Sequence, residues 1–299
     1  MRILLTGGTG FIGSAISKRL LDEGHSIVLL TRQIPSKKKK GIQYYQFDYL
    51  TDDFHIRMFD GVDGVIHLAG EDLSSSRWSK AKKESIRSSR IDYSEKIVSF
   101  INKNCRLKFF LSASAIGYYV QSKNDQMLDE SSANGTDFLA GICSDWEREI
   151  SKIKVADRVL VTRFGIVLGK DGGALKKALP VFQAGTGGRL GDGKQWMSWI
   201  HIEDLVNALI FIVSSNEQGV FNLTSPNPVR NTDFTEALAH ALHRPSFVPV
   251  PETVLKLMAG EMATLLLSSQ RVLPKHLESL GFKFQHPELR KGLENLLKV

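Results

Sequence analysis

The fold is decided by Arg2-Ile-Leu-Leu-Thr-Gly-Gly-Thr-Gly-Phe-Ile-Gly13, an apolar run that passes directly into a glycine-rich turn. This order predicts a strand, a tight turn and the start of a helix. Gly7 permits the turn, Gly10 lets a pyrophosphate approach the backbone N–H groups, and Gly13 lets the helix press on the strand. Helix N-termini attract anions, so the stretch predicts the phosphate cradle of a dinucleotide cofactor. The residues predicted to contact it are Gly7, Thr9, Gly10, Phe11, Ile12 and Gly13.

The end of the second predicted strand indicates which dinucleotide is bound. The apolar run 27–30 leads into Thr31 and Arg32, at the position that lies beside the adenosine ribose in such folds. An acidic residue there would bind the 2′-hydroxyl of NAD, whereas a guanidinium suits the 2′-phosphate of NADP. We therefore predict NADP(H) as the cofactor, with contacts at Thr31 and Arg32. A surface arginine without a ligand is the alternative.

Composition limits the class of protein. The 299 residues include 42% hydrophobic side chains, enough for one large or two unequal domains, and carry a net charge of +7. The four lysines at 37–40 lack interleaved aromatic residues, so they indicate a solvated loop and no nucleic-acid partner. Cys105 and Cys143 are too few for a disulfide framework or a CxxC metal site. The small number of cysteines indicates a reducing compartment and no structural metal. No apolar stretch reaches about 18 residues, so we expect a cytoplasmic protein with no membrane partner.

Strand-like and helix-like segments alternate through the first half of the chain. This alternation predicts an α/β fold, a Rossmann-type, doubly wound parallel sheet with helices on both faces. We place the nucleotide-binding domain at residues 1–225 and a smaller, mainly helical cap at residues 226–299. Residues 78–102 are predicted as one long helix. The glycine-rich segment 165–200 is predicted as a mobile loop that contributes to the substrate side.

The glycine turn is one of several motifs that together are specific for a family. Residues 6–13 read TGGTGFIG, residues 67–70 read HLAG and residues 199–205 read WIHIEDL. With RFGIVLG at 163–169 and RVLP at 271–274, they resemble the extended short-chain dehydrogenase/reductase family over essentially the whole chain. More narrowly, the sequence is similar to the atypical branch of epimerase family proteins, which combine an NAD-dependent epimerase/dehydratase-like domain with a C-terminal domain of unknown function.

The resemblance implies further cofactor contacts. It places Asp48 near the adenine amino group and residues 68–70 on the adenosine and ribose side. Ser85 and Arg90 would lie near the ribose or nicotinamide, and residues 164–167 would approach the nicotinamide. Ordinary packing is the alternative at each position, but the carboxyl edge of such a sheet is where these folds bind ligands. The implied residues are Asp48, Leu68, Ala69, Gly70, Ser85, Arg90, Phe164, Gly165 and Val167.

The catalytic pattern of that family is incomplete in this sequence. Its members pair a Ser or Thr with Tyr-x-x-x-Lys, in which the lysine lowers the tyrosine pKa so that the phenol exchanges a proton with a substrate oxygen. Ser114 follows the fifth predicted strand, but the tyrosine and lysine positions fall on Leu139 and Cys143. Glu147 supports this register. The candidates that remain for catalysis are Ser114, Tyr118 and Cys143.

One stretch matches Tyr-x-x-x-Lys as text, at Tyr119 and Lys123. It lies immediately after the strand and not on a helix, where residues four apart would share a face, so we interpret the match as a coincidence. Of the other titratable groups, Lys83 is expected to be solvated and His201 is expected to hold a loop in place.

Two hypotheses follow. The first is an NADP(H)-dependent oxidoreductase or epimerase of the atypical type, acting on a small carbonyl or sugar-nucleotide-like substrate bound between the sheet edge and the cap. The second is an NADPH-binding sensor or scaffold with little or no turnover, because the cofactor half of the site is intact while the tyrosine and lysine are absent. The resemblance also implies a homodimer through the two long helices that flank the central strands.

Overall fold

The computed structural model describes residues 1–122, 124–246 and 248–298. The strands are β1 (Arg2–Thr6), β2 (Ser26–Thr31), β3 (Ile42–Gln46), β4 (Gly64–His67), β5 (Phe109–Ala115), β6 (Met127–Leu128), β7 (Val159–Phe164), β8 (Ile166–Gly169), β9 (Trp196–Met197), β10 (Trp199–His201), β11 (Gly219–Leu223), β12 (Val229–Arg230) and β13 (Arg271–Val272). The α-helices are α1 (Phe11–Asp22), α2 (Lys80–Ser88), α3 (Ile91–Asn104), α4 (Phe138–Ile150), α5 (Gly173–Gln183), α6 (Ile202–Ser214), α7 (Asn231–Ala241), α8 (Glu252–Ala259), α9 (Ala263–Leu267), α10 (Lys275–Ser279) and α11 (Leu289–Leu297). Short 3₁₀ turns occupy Ile56–Phe59, Ile116–Tyr118 and Gly260–Met262.

Seven strands form one parallel sheet in the order β11-β7-β5-β4-β1-β2-β3. The chain runs outward from β1 to β3 and then returns to place β4 on the other side of β1. The strand order therefore reverses between β1 and β4, where Thr6 lies opposite His67. Ligands bind at such a reversal, outside the carboxyl ends of the strands. The predicted α/β, Rossmann-type fold is confirmed.

Both faces of the sheet are covered by helices. Ile3 and Leu5 pack in the cluster that contains α1 and α6, whereas Leu4 packs in the cluster that contains α3 and α4. All three side chains are fully buried. A central parallel strand must be apolar on both faces, which is why β1 reads as a continuous apolar run.

His67, the last residue of β4, is a buried polar group beneath the crevice. Its ring nitrogens lie 2.8 Å from Thr6 Oγ1 and 3.2 Å from Ser94 Oγ, and burial lowers its pKa from 6.5 to about 3. In the unfolded chain this histidine takes up a proton near its ordinary pKa, whereas in the folded chain it stays neutral. The free energy of unfolding is therefore not reduced by His67 above pH 6.5, the pKa of this histidine in the unfolded chain. It falls as the pH drops from there toward about 3, the pKa of His67 in the folded chain.

We expect His67→Asn to reduce this acid sensitivity, because the amide cannot be protonated in either state. Between pH 6 and pH 4 the free energy of unfolding should fall by about 1.4 kcal/mol less per pH unit than in the wild type. Urea unfolding at several pH values measures the slope, with the exposed His240→Asn as the matched control. Equal slopes for the wild type and His67→Asn would contradict the prediction.

The predicted helix over residues 78–102 is wrong, because the chain breaks it into α2 and α3 at Ser89 and Arg90. The Ser89 hydroxyl donates to Ile86 O and accepts the backbone N–H of Glu71. These contacts satisfy the end of α2. The decisive partner, Glu71, is 18 residues away in the sequence. No local pattern shows such a contact.

The predicted mobile loop over 165–200 is also wrong, because β8, α5, β9 and β10 lie within it. Helix α5 buries Leu175, Leu179 and Phe182 in one cluster with Trp199. Their spacing of four and three residues is the helical pattern, and the density of glycines around it obscured this signal.

The C-terminal region is mainly helical and shares its packing with the sheet domain. Helices α7 and α11 pack in one cluster with α5, and β13 pairs with β6. The boundary between 225 and 226 stays a prediction. No α-helix in the described ranges combines the length and apolar character that a bilayer crossing requires.

Candidate cofactor and catalytic site

The glycine turn closes against the end of β4. Gly7 has φ +70°, in the left-handed region that favours glycine, and a Cβ there would lie 2.8 Å from Leu68 O and Ala69 N. A Cβ on Gly13 would lie 2.1 Å from the Gly7 carbonyl oxygen. Gly10 is exposed, and the one atom near a Cβ there is Gly7 O, at 3.3 Å. The turn is therefore packed on its protein side and open above Gly10.

Helix α1 begins at this opening, and no described side chain caps the backbone N–H groups of its first turn. Its N-cap is Gly10, which offers no side-chain oxygen, and its first turn holds no acidic residue. The N–H groups of residues 11–13 have no partner within the helix, and the helix dipole adds partial positive charge. These features fit a diphosphate, and the open surface of Gly10 leaves room for it.

Arg32 lies just past the end of β2, at the same edge of the sheet. It is exposed and makes no hydrogen bond or ion pair with any described residue. Its neighbour Thr31 is buried, and the Thr31 hydroxyl donates to Gln33 O at 3.0 Å. The lysines at 37–40 are exposed as well. The guanidinium of Arg32 is therefore free to meet a phosphate.

The ends of β3 and β4 bring other predicted contacts to this edge. Asp48 follows β3, and its carboxylate accepts the N–H of Leu50 at 3.0 Å. Ala69 N–H donates to Thr6 Oγ1 at 3.2 Å, which holds residues 68–70 beside β1. Residues 68–70 thus lie against the glycine turn, whereas Asp48 lies at the same edge beyond β2 and β3. The contact of these residues with a cofactor stays a prediction.

Arg90 lies beside Gly70 but is committed to backbone contacts. A Cβ on Gly70 would lie 3.2 Å from Arg90 Cζ. One guanidinium nitrogen donates to Glu71 O at 3.1 Å and another donates to Ile86 O at 3.2 Å. These bonds fix the segment after β4 to the end of α2. Ser85, the other contact predicted near the ribose or nicotinamide, is half-buried on α2.

Residues 164–167 continue from β7 into β8 beside the same edge. A Cβ on Gly165 would lie 2.5 Å from Ser198 O, so the backbone of this turn leaves no room for a side chain. Phe164 and Val167 are partly buried against the core cluster that contains α1 and α6. Their approach to a nicotinamide stays a prediction.

Ser114, at the end of β5, belongs to a buried polar network. Its hydroxyl donates to Glu147 Oε1 at 2.6 Å. Arg163 on β7 holds both carboxylate oxygens of Glu147, at 2.8 and 2.7 Å. Burial disfavours the charged guanidinium, but the hydrogen bonds and charge of Glu147 outweigh burial and raise the pKa of Arg163. Since the Ser114 proton is engaged by a carboxylate, this hydroxyl can only accept a hydrogen bond from a ligand.

Two tyrosines flank Arg163 in different ways. Tyr119 is fully buried, and its hydroxyl accepts from Arg163 at 2.8 Å and donates to Asn222 at 2.7 Å. Tyr118 is partly buried, with the Arg163 guanidinium carbon 3.5 Å from its ring centroid. Among the described residues, none forms a hydrogen bond with the Tyr118 hydroxyl. Tyr118 therefore presents a free phenol above a buried cation.

The residues at the usual tyrosine and lysine positions are buried in α4. Leu139 packs with Trp78 and Ile86. Burial, and then the nearby charge of Glu147, raise the pKa of Cys143 to about 12, so its thiol stays protonated. Cys143 as a catalytic nucleophile or proton carrier is therefore disfavoured.

Gly117, in the 3₁₀ turn that carries Tyr118, faces these two α4 residues. A Cβ on it would lie 3.6 Å from Leu139 Cβ and 3.9 Å from Cys143 Sγ. The apparent motif at Tyr119 and Lys123 gains no support, because burial raises the pKa of Tyr119 to about 12 and Lys123 lies outside the described residues.

Comparison with protein families decides the classification. Residues 3–224 match the model of the NAD dependent epimerase/dehydratase family. The chain belongs to this family. Residues 250–296 match a domain of unknown function (DUF1731). An epimerase/dehydratase domain followed by this domain is the two-part arrangement of epimerase family proteins. The resemblance inferred from the sequence motifs is confirmed.

Relatives of similar length support the assignment to epimerase family proteins. A chloroplastic epimerase family protein SDR39U1 homolog of Arabidopsis thaliana is 40% identical and covers 100% of this chain and 87% of its own. An epimerase family protein of Staphylococcus epidermidis is 36% identical over 100% of this chain and 99% of its own. The crystal structure of human epimerase family protein SDR39U1 (isoform 2) with NADPH superposes with a TM-score of 0.87 at 30% identity, covering 100% of this chain and 99% of that chain.

Two lysines of this epimerase family protein make contacts that the sequence analysis missed. Lys82 is buried, and its ammonium lies 2.5 Å from Glu71 Oε1 and 2.6 Å from Ser75 Oγ. Lys83, predicted to be solvated, instead pairs with Glu261 of the C-terminal region. Lys82 lies one helical turn before the buried Ile86, and that spacing is the signal that indicates an inward side chain.

His201 belongs to a group that also includes Glu203 and His286, close enough together to hold a metal ion. Its Nδ1 accepts the N–H of Glu203 at 3.1 Å and caps α6. The neutral ring must then carry its proton on Nε2, which leaves no lone pair for a metal. Burial, and then the adjacent His286, lower the pKa of His201 to about 4. Glu203 joins α6 to the C-terminal region through His286, on which His201 stacks with ring centroids 3.9 Å apart. The role expected for His201 in holding a loop stays a prediction.

Proposed function

We propose that this epimerase family protein binds NADP(H) at the carboxyl edge of its sheet and is an oxidoreductase or epimerase. The observation that carries the proposal is the open glycine turn combined with the free guanidinium of Arg32 at the end of the neighbouring strand. The NADPH in the human relative supports the choice of cofactor. We propose a small carbonyl or sugar-nucleotide-like compound as the substrate.

The chain's own residues have separate roles in this proposal. The first turn of α1 holds the diphosphate, and Arg32 recognises the 2′-phosphate with a fork of donors. The bound cofactor supplies or accepts a hydride. Ser114 accepts a hydrogen bond from a substrate hydroxyl, because its own proton is held by Glu147.

Tyr118 is the group that we assign to proton transfer. Its hydroxyl is free among the described residues, and its turn packs against the helix that carries the tyrosine in related enzymes. The Arg163 guanidinium carbon lies 3.5 Å from the centroid of the Tyr118 ring, and this cation–π contact holds the ring in place. In the reductive direction the Tyr118 hydroxyl would donate its proton to the substrate oxygen.

Arg32→Asp is expected to weaken NADPH binding by about 10- to 30-fold, because a charge-assisted hydrogen bond to phosphate contributes about 2 kcal/mol. The affinity for NADH should not fall, since NADH lacks the 2′-phosphate. Fluorescence titration with both nucleotides measures the change. Arg106→Asp makes the same charge change beside the opposite end of β5 and serves as the control. If Arg32→Asp leaves NADPH affinity unchanged, the assignment of Arg32 is wrong.

A sensor or scaffold without turnover is the second candidate function. The observation that favours it is the burial of Leu139 and Cys143 where related enzymes carry the tyrosine and lysine. NADPH oxidation can be followed against aldehydes, dicarbonyl compounds, quinones and nucleotide sugars. Tight NADPH binding with no oxidation by any of them would favour the sensor over the enzyme.

A further inference from the structure

Two segments contact the glycine turn and the first residue of α1. The first, residues 68–74, begins where Leu68 and Ala69 touch Gly7. Beneath this segment, Lys82 contacts Glu71 and Ser75, and the Trp78 indole N–H donates to Leu73 O at 2.7 Å. These contacts fasten the first segment to the start of α2, so it forms a fixed wall.

The second segment, residues 169–177, begins at Phe11, the first residue of α1. A Cβ on Gly169 would lie 2.4 Å from the Phe11 ring, and a Cβ on Gly172 would lie 2.3 Å from it. Gly173 has φ +68° and faces the same ring. Three glycines thus let this turn lie flat on the Phe11 ring.

The two segments meet at Lys177. Its ammonium donates to Ser74 O at 2.8 Å and to Ser74 Oγ at 2.5 Å, and it lies 3.4 Å from Asp72 Oδ2. One segment starts against Gly7 and the other against Phe11, so together they span the turn that the proposed diphosphate occupies. We call residues 68–74, residues 169–177 and the Lys177 contacts the arch.

We propose that the arch closes over bound NADP(H) and that Lys177 gates cofactor exchange. The proposal rests on the cofactor site of the proposed function. Because Lys82 fastens the first segment and Leu175 anchors the start of α5 in the core, opening breaks the Lys177 contacts and moves the Lys177 side chain away from Ser74. Lys177 and Asp72 are 51% and 59% exposed, so their contacts are weak enough to break on each exchange.

Stopped-flow fluorescence with NADPH tests the gate. Since Lys177 blocks passage in both directions, Lys177→Met should raise the association and dissociation rates together by about three- to tenfold, with little change in Kd. The matched control is Lys176→Met on the adjacent, exposed position of α5, which should leave both rates unchanged. Added salt should accelerate exchange in the wild type more than in Lys177→Met.

Two results would overturn the gate, and a third would overturn the proposed function on which it rests. Unchanged rates in Lys177→Met would show that the arch does not limit exchange. A faster dissociation rate alone, with a matching loss of affinity, would make Lys177 a direct cofactor contact. Absence of NADPH binding to the wild type would remove the proposed function itself, which distinguishes its failure from failure of the gate.

A crosslink tests the same inference without relying on a lost contact. Ser74→Cys and Lys177→Cys are combined in a Cys105→Ser background and joined by a short bifunctional maleimide; Cys143 is buried. Closing the link before NADPH is added should block binding, and closing it afterwards should trap the nucleotide. Free exchange in the linked protein would refute the arch. Each single cysteine variant treated with the same reagent is the control.

Discussion

Arg163→Met is expected to lower the free energy of unfolding by about 3–5 kcal/mol, because it leaves a buried carboxylate without its cation. The side chains of Arg163 and Glu147 are only 4% and 13% exposed. Glu147 would retain only the Ser114 hydroxyl as a described side-chain donor, and the Tyr119 hydroxyl would lose its own donor. Solvent cannot compensate at this depth, so most of the desolvation cost remains.

Urea unfolding at neutral pH measures the loss, and a double variant identifies its cause. Arg163→Met combined with Glu147→Gln removes both charges and should recover much of the stability, because an unpaired charge costs more than a missing pair. Lys18→Met breaks a surface pair with Asp22, whose partners are 76% and 55% exposed, and should cost less than about 1 kcal/mol. A similarly small cost for Arg163→Met would show that the network contributes little to stability.

The order of local patterns along the chain was sufficient for the fold but not for its irregular parts. The run Arg2–Thr6, the glycine turn and the alternation that follows specify parallel strands with helical crossovers, since each pattern depends on neighbouring residues alone. The break at Ser89 and Arg90 depends on Glu71, which only the folded chain brings near. Glycines 169, 172 and 173 indicated a mobile loop because their partner, the Phe11 ring, is far more distant still in the sequence.

The candidate site also has one part that local sequence predicts and another that only the folded chain reveals. The glycine cradle and Arg32 could be inferred because a strand end and the first turn of a helix are local features. The network of Ser114, Glu147 and Arg163 joins β5, α4 and β7, so it follows from the sheet order and not from any motif. Sequence spacing identified the absence of the tyrosine and lysine. It could not show that a guanidinium lies against Tyr118.

Tyr118→Phe is expected to lower kcat by about 10²- to 10⁴-fold, the usual contribution of a positioned proton donor. The substitution removes one hydroxyl that no described residue binds, so the contact of the ring with Arg163 and the fold should persist. NADPH affinity should stay the same, because the change concerns proton transfer and not the phosphate cradle. Tyr45→Phe, which removes a hydroxyl bonded to Arg57 O on the edge strand β3, is the control.

The measurement is single-turnover oxidation of bound NADPH by whichever carbonyl compound the wild type reduces fastest. A fall in rate with unchanged NADPH affinity separates a lost proton donor from a damaged cofactor site. If Tyr118→Phe retained the wild-type rate, the proton would have to come from another group. Ser114 is a poor alternative because Glu147 already holds its proton, and Cys143 is buried as a neutral thiol.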